Sequence, residues 1–334
     1  MKAVLVRAFS PYDQAEFGEL DDPVPNQNEV VVDLRASDVN YPDILYIEGK
    51  YQAKLQFPFS PGLGGAGRIA AIGAGVTDLS VGQRVLVLPQ HGTYSEKVRA
   101  PSGYCFPMPA NMPYAVAAAL GLVYQSAHFA LVERAALKRG ASVLVLGATG
   151  GIAMASIQLA KALGAGMVIA ATRSEEGARF AREIGADETV NAAMDNLRDG
   201  LRDAVKSVTG GLGVDIVIDP VGGDLSAAAL RALAWCGRLV VVGFVSGEIP
   251  QIPANYLLVK NISVCGLQWT DYRARALDRC HAAQRKMFDL WEQQHLKPVI
   301  SRSLPLARFR DALADIKNRR AQGKVVLLTT ERDD

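Results

Sequence analysis

Cysteine and histidine are scarce, four of each in 334 residues, and neither kind clusters. Cys105, Cys236, Cys265 and Cys280 show no metal-ligand spacing, and an oxidised framework in a chain this long would need more of them. They read as reduced thiols of a cytosolic protein. His91, His128, His281 and His295 are scattered without ligand spacing, so each reads as a surface or core-edge residue and no metal is expected. A surplus of one charge is also lacking. The formal net charge is +2 and the densest basic pair is Arg319-Arg320, which excludes a groove for nucleic acid. The start, MKAVLVRAF, has neither the apolar length nor the cleavage site of a signal peptide. No G-x-S-x-G elbow occurs, and Cys105 lies between prolines without an evident base, so nucleophilic hydrolysis has no carrier. One apolar run remains. Tyr114 to Val132 has no formal charge, but it contains Gln125, Ser126 and His128 and follows Pro113, so it reads as a buried helix rather than a membrane span.

What is present is ample apolar material. Hydrophobic residues make up 49% of the chain and charged residues 21%, enough for a large core, and the length suggests about two domains. The first 110 residues read as an all-β unit. Short apolar runs such as VVVDL (30–34) and RVLVLP (84–89) alternate with Gly, Pro and Asp clusters, and the glycines of PGLGGAGRIAAIGAG (61–75) suit corners of a partly closed barrel. After Asn111 the texture changes. SVLVLG (142–147), AGMVIAAT (165–172), DETVN (187–191), VDIVID (214–219), RLVVVG (238–243) and NISVCGLQ (261–268) read as strands. Helical stretches separate them, among them EEGARFAREIG (175–185), LRDGLRDAVKSVTGG (197–211) and about 225–234. Strands apolar on both faces with intervening helices predict a doubly wound parallel sheet. From about Asp271 the pattern is helical, and KVVLLTT (324–330) predicts a last strand.

The sharpest local signal is VLVLGATGGIAMASIQLAKALGA (143–165). An apolar strand runs into Gly147-Ala148-Thr149-Gly150-Gly151-Ile152-Ala153 and straight on into a helix. Glycines let the backbone approach a pyrophosphate, and the helix N-terminus offers unpaired N–H groups to the anion. The second strand then ends in Ala171-Thr172-Arg173-Ser174. An NAD site wants an acid there for the ribose 2′-hydroxyl; an arginine suits a 2′-phosphate instead. Arg179 follows in the next helix. NADPH is therefore the expected coenzyme.

With these stretches read, the chain resembles the medium-chain dehydrogenase/reductases, within them the zinc-independent NADPH:quinone oxidoreductases related to zeta-crystallin. The resemblance runs along nearly the whole chain, through VNYPDILYIEGKYQAK (39–54), GATGGIA (147–153), DPVGGDL (219–225), GRLVVVGFVSGEIPQIPAN (237–255), KNISVCG (260–266) and QGKVVL (322–327). It implies an α/β protein with a GroES-like, partly closed β-barrel catalytic domain at 1–124 and 266–334. A doubly wound Rossmann NADPH-binding domain at 125–265 is inserted in it. It also implies a homodimer, often paired through the strand near Ile262 to Gly266. By position, Gly147, Ala148, Thr149, Gly150, Gly151 and Ile152 are expected at the pyrophosphate, and Thr172, Arg173, Ser174 and Arg179 around the 2′-phosphate. Gly243, Phe244, Val245 and Ser246 are expected along the nicotinamide half, with Ser126 near its phosphate. Arg319, Gly323, Lys324 and Val325 are expected to reach the cofactor from the C-terminal segment.

Some positions depart from the family. An acid that members often carry within the stretch equivalent to PGLGGAG (61–67) is absent, Gly64 and Gly65 standing there, and a tyrosine that often helps hold the 2′-phosphate is Ala192. The zinc branch needs a cysteine near position 40 and Gly-His-Glu near 62; this chain has Asn40, Leu63 and Gly64. The chemistry left is direct hydride transfer to an electron-poor acceptor, a quinone or an alkene conjugated to a carbonyl. Charge built on the acceptor oxygen needs donors. Asn40 and Tyr51 are the candidate catalytic residues, Asn40 to orient a carbonyl or ribose, Tyr51 to donate a hydrogen bond or proton. Tyr41, Tyr46 and Trp269 could shape a pocket for a flat acceptor. An enoyl-thioester or enone reductase, and a protein that binds NADPH without turnover, stay open as alternatives.

Overall fold

The computed structural model describes residues 1–329. In chain order it contains β1 (Lys2–Leu5), β2 (Glu16–Glu19), β3 (Glu29–Val39), α1 (Tyr41–Ile47), β4 (Gly65–Ile72), β5 (Arg84–Val87), β6 (Lys97–Pro101), β7 (Cys105–Pro107), α2 (Tyr114–Leu120) and α3 (Leu122–His128). Next come β8 (Ser142–Leu146), α4 (Gly151–Ala162), β9 (Met167–Thr172), α5 (Glu175–Glu183), β10 (Glu188–Asn191), α6 (Leu197–Val208), β11 (Val214–Asp219), α7 (Gly223–Ala232), β12 (Leu233–Val241), α8 (Ala254–Lys260) and β13 (Ser263–Gly266). The chain closes with α9 (Trp269–Arg275), α10 (Leu277–Glu292), β14 (Ile300–Pro305), α11 (Phe309–Lys317) and β15 (Lys324–Leu328). It divides into two compact units, Met1–Leu122 with the return from Pro298, and Val123–Lys297.

The first unit is built on a seven-stranded sheet ordered β14-β15-β3-β4-β5-β7, with β6 also paired to β3. The return strand β15 lies antiparallel to β3, Val325 opposite Val39 and Leu328 opposite Ala36. Its core joins both chain ends: Val4, Val39, Ile44 and Tyr94 pack with Leu304, Phe309, Leu313 and Val325. The expectation of an all-β N-terminal stretch is corrected by α1. The pattern NYPDILYI turns helical because Asn40 stands at the N-cap, Pro42 sits in the first turn, and the Asp43 carboxylate accepts a hydrogen bond from the Asn40 N–H at 2.7 Å.

The second unit carries a six-stranded sheet ordered β10-β9-β8-β11-β12-β13. The pairs β10–β9, β9–β8, β8–β11, β11–β12 and β12–β13 are all parallel. β8 and β11 are buried almost throughout, as strands covered on both faces must be. The chain leaves β8 toward β9 on one side, then crosses to β11 on the other, which places the reversal of strand order between β8 and β11.

Two expectations need correcting. The sequence reading ended the inserted domain at 265, but 266–297 packs with the parallel-sheet unit. Gln125 Nε2 donates to the Cys280 carbonyl at 2.9 Å and to Gln284 Oε1 at 3.1 Å, and Trp269 Nε1 donates to Gln125 Oε1 at 3.3 Å. Gln158 and the Lys297 backbone exchange two bonds of 2.9 Å. These polar partners lie far apart in sequence and leave no periodic trace. The final strand ends at Leu328, and Thr330, included in the expected run, lies outside the described residues. The apolar run Tyr114–Arg134 is long enough by length and composition to cross a membrane, yet 78% of it is buried. It breaks at Gly121 and ends in a π-helical turn, Phe129–Arg134.

Candidate active site

In the second unit the phosphate loop stands at the C-terminal end of β8. Gly147 takes φ +67°, a left-handed conformation that glycine adopts without strain, and a Cβ there would stand 2.8 Å from Val221 Cγ2. The loop therefore sits directly against the turn that follows β11, at the switch in strand order. Gly150 caps α4 with no side chain, and Gly151, Ile152 and Ala153 fill the first helical positions, whose amides have no carbonyl upstream within the helix. An anion's oxygens fit such a terminus. Ala148 is buried, and its N–H donates to the Ala171 carbonyl at 3.3 Å, fixing the loop to β9.

Across from the loop, α5 begins at Ser174, whose Oγ accepts from the Gly177 N–H at 3.1 Å. Gly177 lies close to Thr149: a Cβ added there would be 3.2 Å from Thr149 Cγ2 and 3.5 Å from Thr172 Cβ. The missing side chain thus brings Thr149, Thr172 and Ser174 into one neighbourhood. Arg173, just past the end of β9, and Arg179, within α5, are both exposed. Ser126 is buried in α3, and Ala192, where a tyrosine was looked for, is buried after β10.

Asp219 was missed by sequence reasoning. It ends β11 fully buried, accepting from the Val221 N–H at 2.9 Å, the Gly222 N–H at 3.0 Å and the Ser226 hydroxyl. Burial pushes its carboxyl above the usual range, against the opposing pull of these donors. It shapes the turn 220–223, which in turn holds the segment Gly243, Phe244, Val245 and Ser246. The Val245 and Ser246 N–H groups donate to the carbonyls of Pro220 at 3.2 Å and Val221 at 2.9 Å. An Asp before a Pro-x-Gly-Gly turn is the sequence signal that could have found it.

The first unit holds a second polar centre. Lys324 is 2% exposed, and its Nζ donates to Asn40 Oδ1 at 2.6 Å, the Val39 carbonyl at 3.0 Å and Asp38 Oδ2 at 3.1 Å. Beside it the Tyr94 hydroxyl donates to Asp43 Oδ2 at 2.8 Å. Burial first, then the negative charge of Asp38, raises the Asp43 carboxyl from its usual value to about 7, while the donors Asn40 N–H and Tyr94 and the Lys324 charge hold it down. The same burial and Asp43 push the Tyr94 phenol well up. Asn40 and Lys324, expected in catalysis and cofactor binding respectively, are thus in direct contact. Tyr51 is partly buried, its ring tilted by 33° against that of Tyr46 with the centroids 4.3 Å apart. Arg319 takes φ +55° and is exposed, whereas Val325 is in the core. Gly323 takes φ +94° with the Val299 carbonyl 2.4 Å from where a Cβ would stand. Asp38 and Asp43, acids within apolar runs, were the unread signal here.

A zinc ion does not fit at Asn40, Leu63 and Gly64. The Asn40 oxygen is already taken by an ammonium, Leu63 is apolar, and among the described residues no His, Cys, Asp and Glu group could hold a metal.

A parallel sheet with a glycine turn at its strand switch defines a dinucleotide-binding protein. Family models agree: residues 26–110 match the alcohol dehydrogenase GroES-like domain, and 151–282 match the zinc-binding dehydrogenase model. The chain is 37% identical to quinone oxidoreductase-like protein 2 homolog of Nematostella vectensis, over 91% of this chain and 82% of that protein. It is 36% identical to quinone oxidoreductase-like protein 2 of Bos taurus, over 91% and 86%. A mycobacterial protein solved in complex with NADPH superposes with a TM-score of 0.91 at 28% identity, over 98% of this chain and 100% of that one. The chain belongs to the medium-chain dehydrogenase/reductase superfamily, in its quinone oxidoreductase-like family, with a GroES-like and a Rossmann-type part.

Proposed function

We propose that this protein transfers hydride from NADPH to a quinone or another electron-poor conjugated carbonyl. The observation that carries the coenzyme choice is the tip of β9, which ends in Thr172-Arg173-Ser174 with an exposed guanidinium and no carboxylate. The mycobacterial relative's complex with NADPH supports the same choice, and the names of the curated relatives support a quinone acceptor. When bound, NADPH supplies the hydride. The amides opening α4 hold the bridging phosphates, and Arg173 with Arg179 grips the 2′-phosphate. Asn40 offers its amide to the acceptor oxygen, where negative charge grows. Tyr51 stands as the proton or hydrogen-bond donor. Arg319, Gly323 and Lys324 belong to the same reading as cofactor-side residues, as does a cytosolic homodimer paired through β13, an edge strand of its sheet.

Stopped-flow oxidation of NADPH against a quinone panel and an enone panel tests the proposal. Faster turnover on the quinones is the expected result; turnover confined to the enones selects the enone reductase. Binding of NADPH with only background oxidation in both panels overturns the reductase reading in favour of a binding protein. Tyr51→Phe is expected to lower kcat with little effect on the Kd for NADPH, and unchanged kcat would remove Tyr51 from the proton path.

A further inference from the structure

The amide of Asn40 has two ends, and the structure commits one of them. Its Oδ1 accepts from the Lys324 ammonium at 2.6 Å, and an ammonium can only donate. This fixes the flip of the amide: oxygen toward Lys324, Nδ2 on the other side. Nδ2 is shielded from solvent and has no partner among the described residues. Lys324 is itself held by Asp38 at 3.1 Å and by the Val39 carbonyl at 3.0 Å. Asp38 can lie there because residue 64 is glycine. A Cβ at 64 would stand 2.7 Å from Asp38 Oδ1 and 3.1 Å from Leu88 Cδ2, so any other residue would drive the carboxylate away. Gly64 leaves the room, Asp38 fills it, and Lys324 is charge-balanced where it meets Asn40.

The geometry points to Asp38 and Lys324 as positioning residues that hold the Asn40 amide as a hydrogen-bond donor for the carbonyl oxygen of the acceptor. This deepens the proposed reaction and rests on it. At Nδ2 itself the match is to a group that accepts a hydrogen bond, as a carbonyl oxygen does. Because Nδ2 is shielded, the acceptor's oxygen reaches it through local movement of the surrounding side chains.

Lys324→Met and the pair Asp38→Asn with Lys324→Met separate positioning from charge balance. The single variant strands a buried carboxylate and is expected to lose both thermal stability and kcat. The double variant removes both charges at similar volume. It is expected to regain the thermal midpoint while kcat, measured at saturating NADPH, stays at least about tenfold down. Recovery of kcat in the double variant would show that Lys324 only balances charge, and would overturn the inference. A second readout needs neither turnover nor a variant that folds well. The carboxamide cross-peak of Asn40 in a 15N spectrum is assigned by its loss in Asn40→Ala. It is expected to shift when duroquinone is added to the wild-type protein with NADP+. A peak that stays put overturns the inference even where turnover is fast. A peak that shifts without any turnover overturns the reductase reading and leaves the donor assignment standing.

Discussion

Arg173 is exposed just past the end of β9. A charge-assisted contact from its guanidinium contributes about 1.5–3 kcal/mol. Arg173→Ala is expected to raise the Kd for NADPH about tenfold or more and to leave NADH nearly unchanged, as titration calorimetry would report. Equal losses for both coenzymes would show that Arg173 does not read the phosphate. Asp43 makes a different kind of statement. Its carboxyl is raised from 3.8 to about 7, chiefly by burial. A raised folded value means the fold favours the protonated acid. Its stabilisation is complete below the ordinary carboxyl range and is lost as pH rises through about 7. Between pH 5 and pH 8 this costs roughly 2–3 kcal/mol by linkage. Asp43→Asn keeps an acceptor for the Asn40 N–H and the Tyr94 hydroxyl but cannot ionise, so its denaturation midpoint is expected to fall less over that interval. Parallel pH profiles for the two proteins would refute this.

Among the elements, the strand-turn-helix at β8 and α4 was legible because its physics is local: an apolar run, a glycine turn, then a helix. The structure adds a tertiary reason for Gly147, the 2.8 Å approach of Val221. Gly147→Ala pays for both a positive φ and that contact, and is expected to destabilise the protein by about 1–3 kcal/mol and to weaken NADPH binding. A denaturation midpoint within error of wild type would sink that account. Elsewhere local patterns misled. The sequence pattern puts α1 in an all-β stretch because YPDILYI is short and rich in residues that suit strands. Its helix is set by the carboxylate of Asp43 folding back on the Asn40 N–H. β12 begins at Leu233, earlier than the expected 238, and passes through Cys236 at φ +62°, an irregularity no propensity forecasts. β14 went unread because ISRSLP has an exposed face and little apolar content.

For the molecule as a whole, coenzyme binding and folding are linked. A ligand at about 100 times its Kd stabilises the native state by about 2.7 kcal/mol. For a unit the size of Val123–Lys297 this corresponds to a rise of roughly 5–10 °C in its thermal transition. Scanning calorimetry with NADPH is expected to show that rise, with NADH at equal concentration giving less; no shift with either would remove the dinucleotide site itself. The sequence by itself determined the two-part α/β plan, the phosphate loop, the arginine in place of an acid, and the lack of zinc donors at Asn40, Leu63 and Gly64. Each of these is written in neighbouring residues or in a period of two or 3.6. Tertiary structure alone decided that 266–297 joins the parallel-sheet unit, and that Asp38, Asn40, Asp43, Tyr94 and Lys324 form one buried network. Those contacts span up to 286 positions, and only the pairing of the return strand β15 against β3 brings Lys324 beside Asn40.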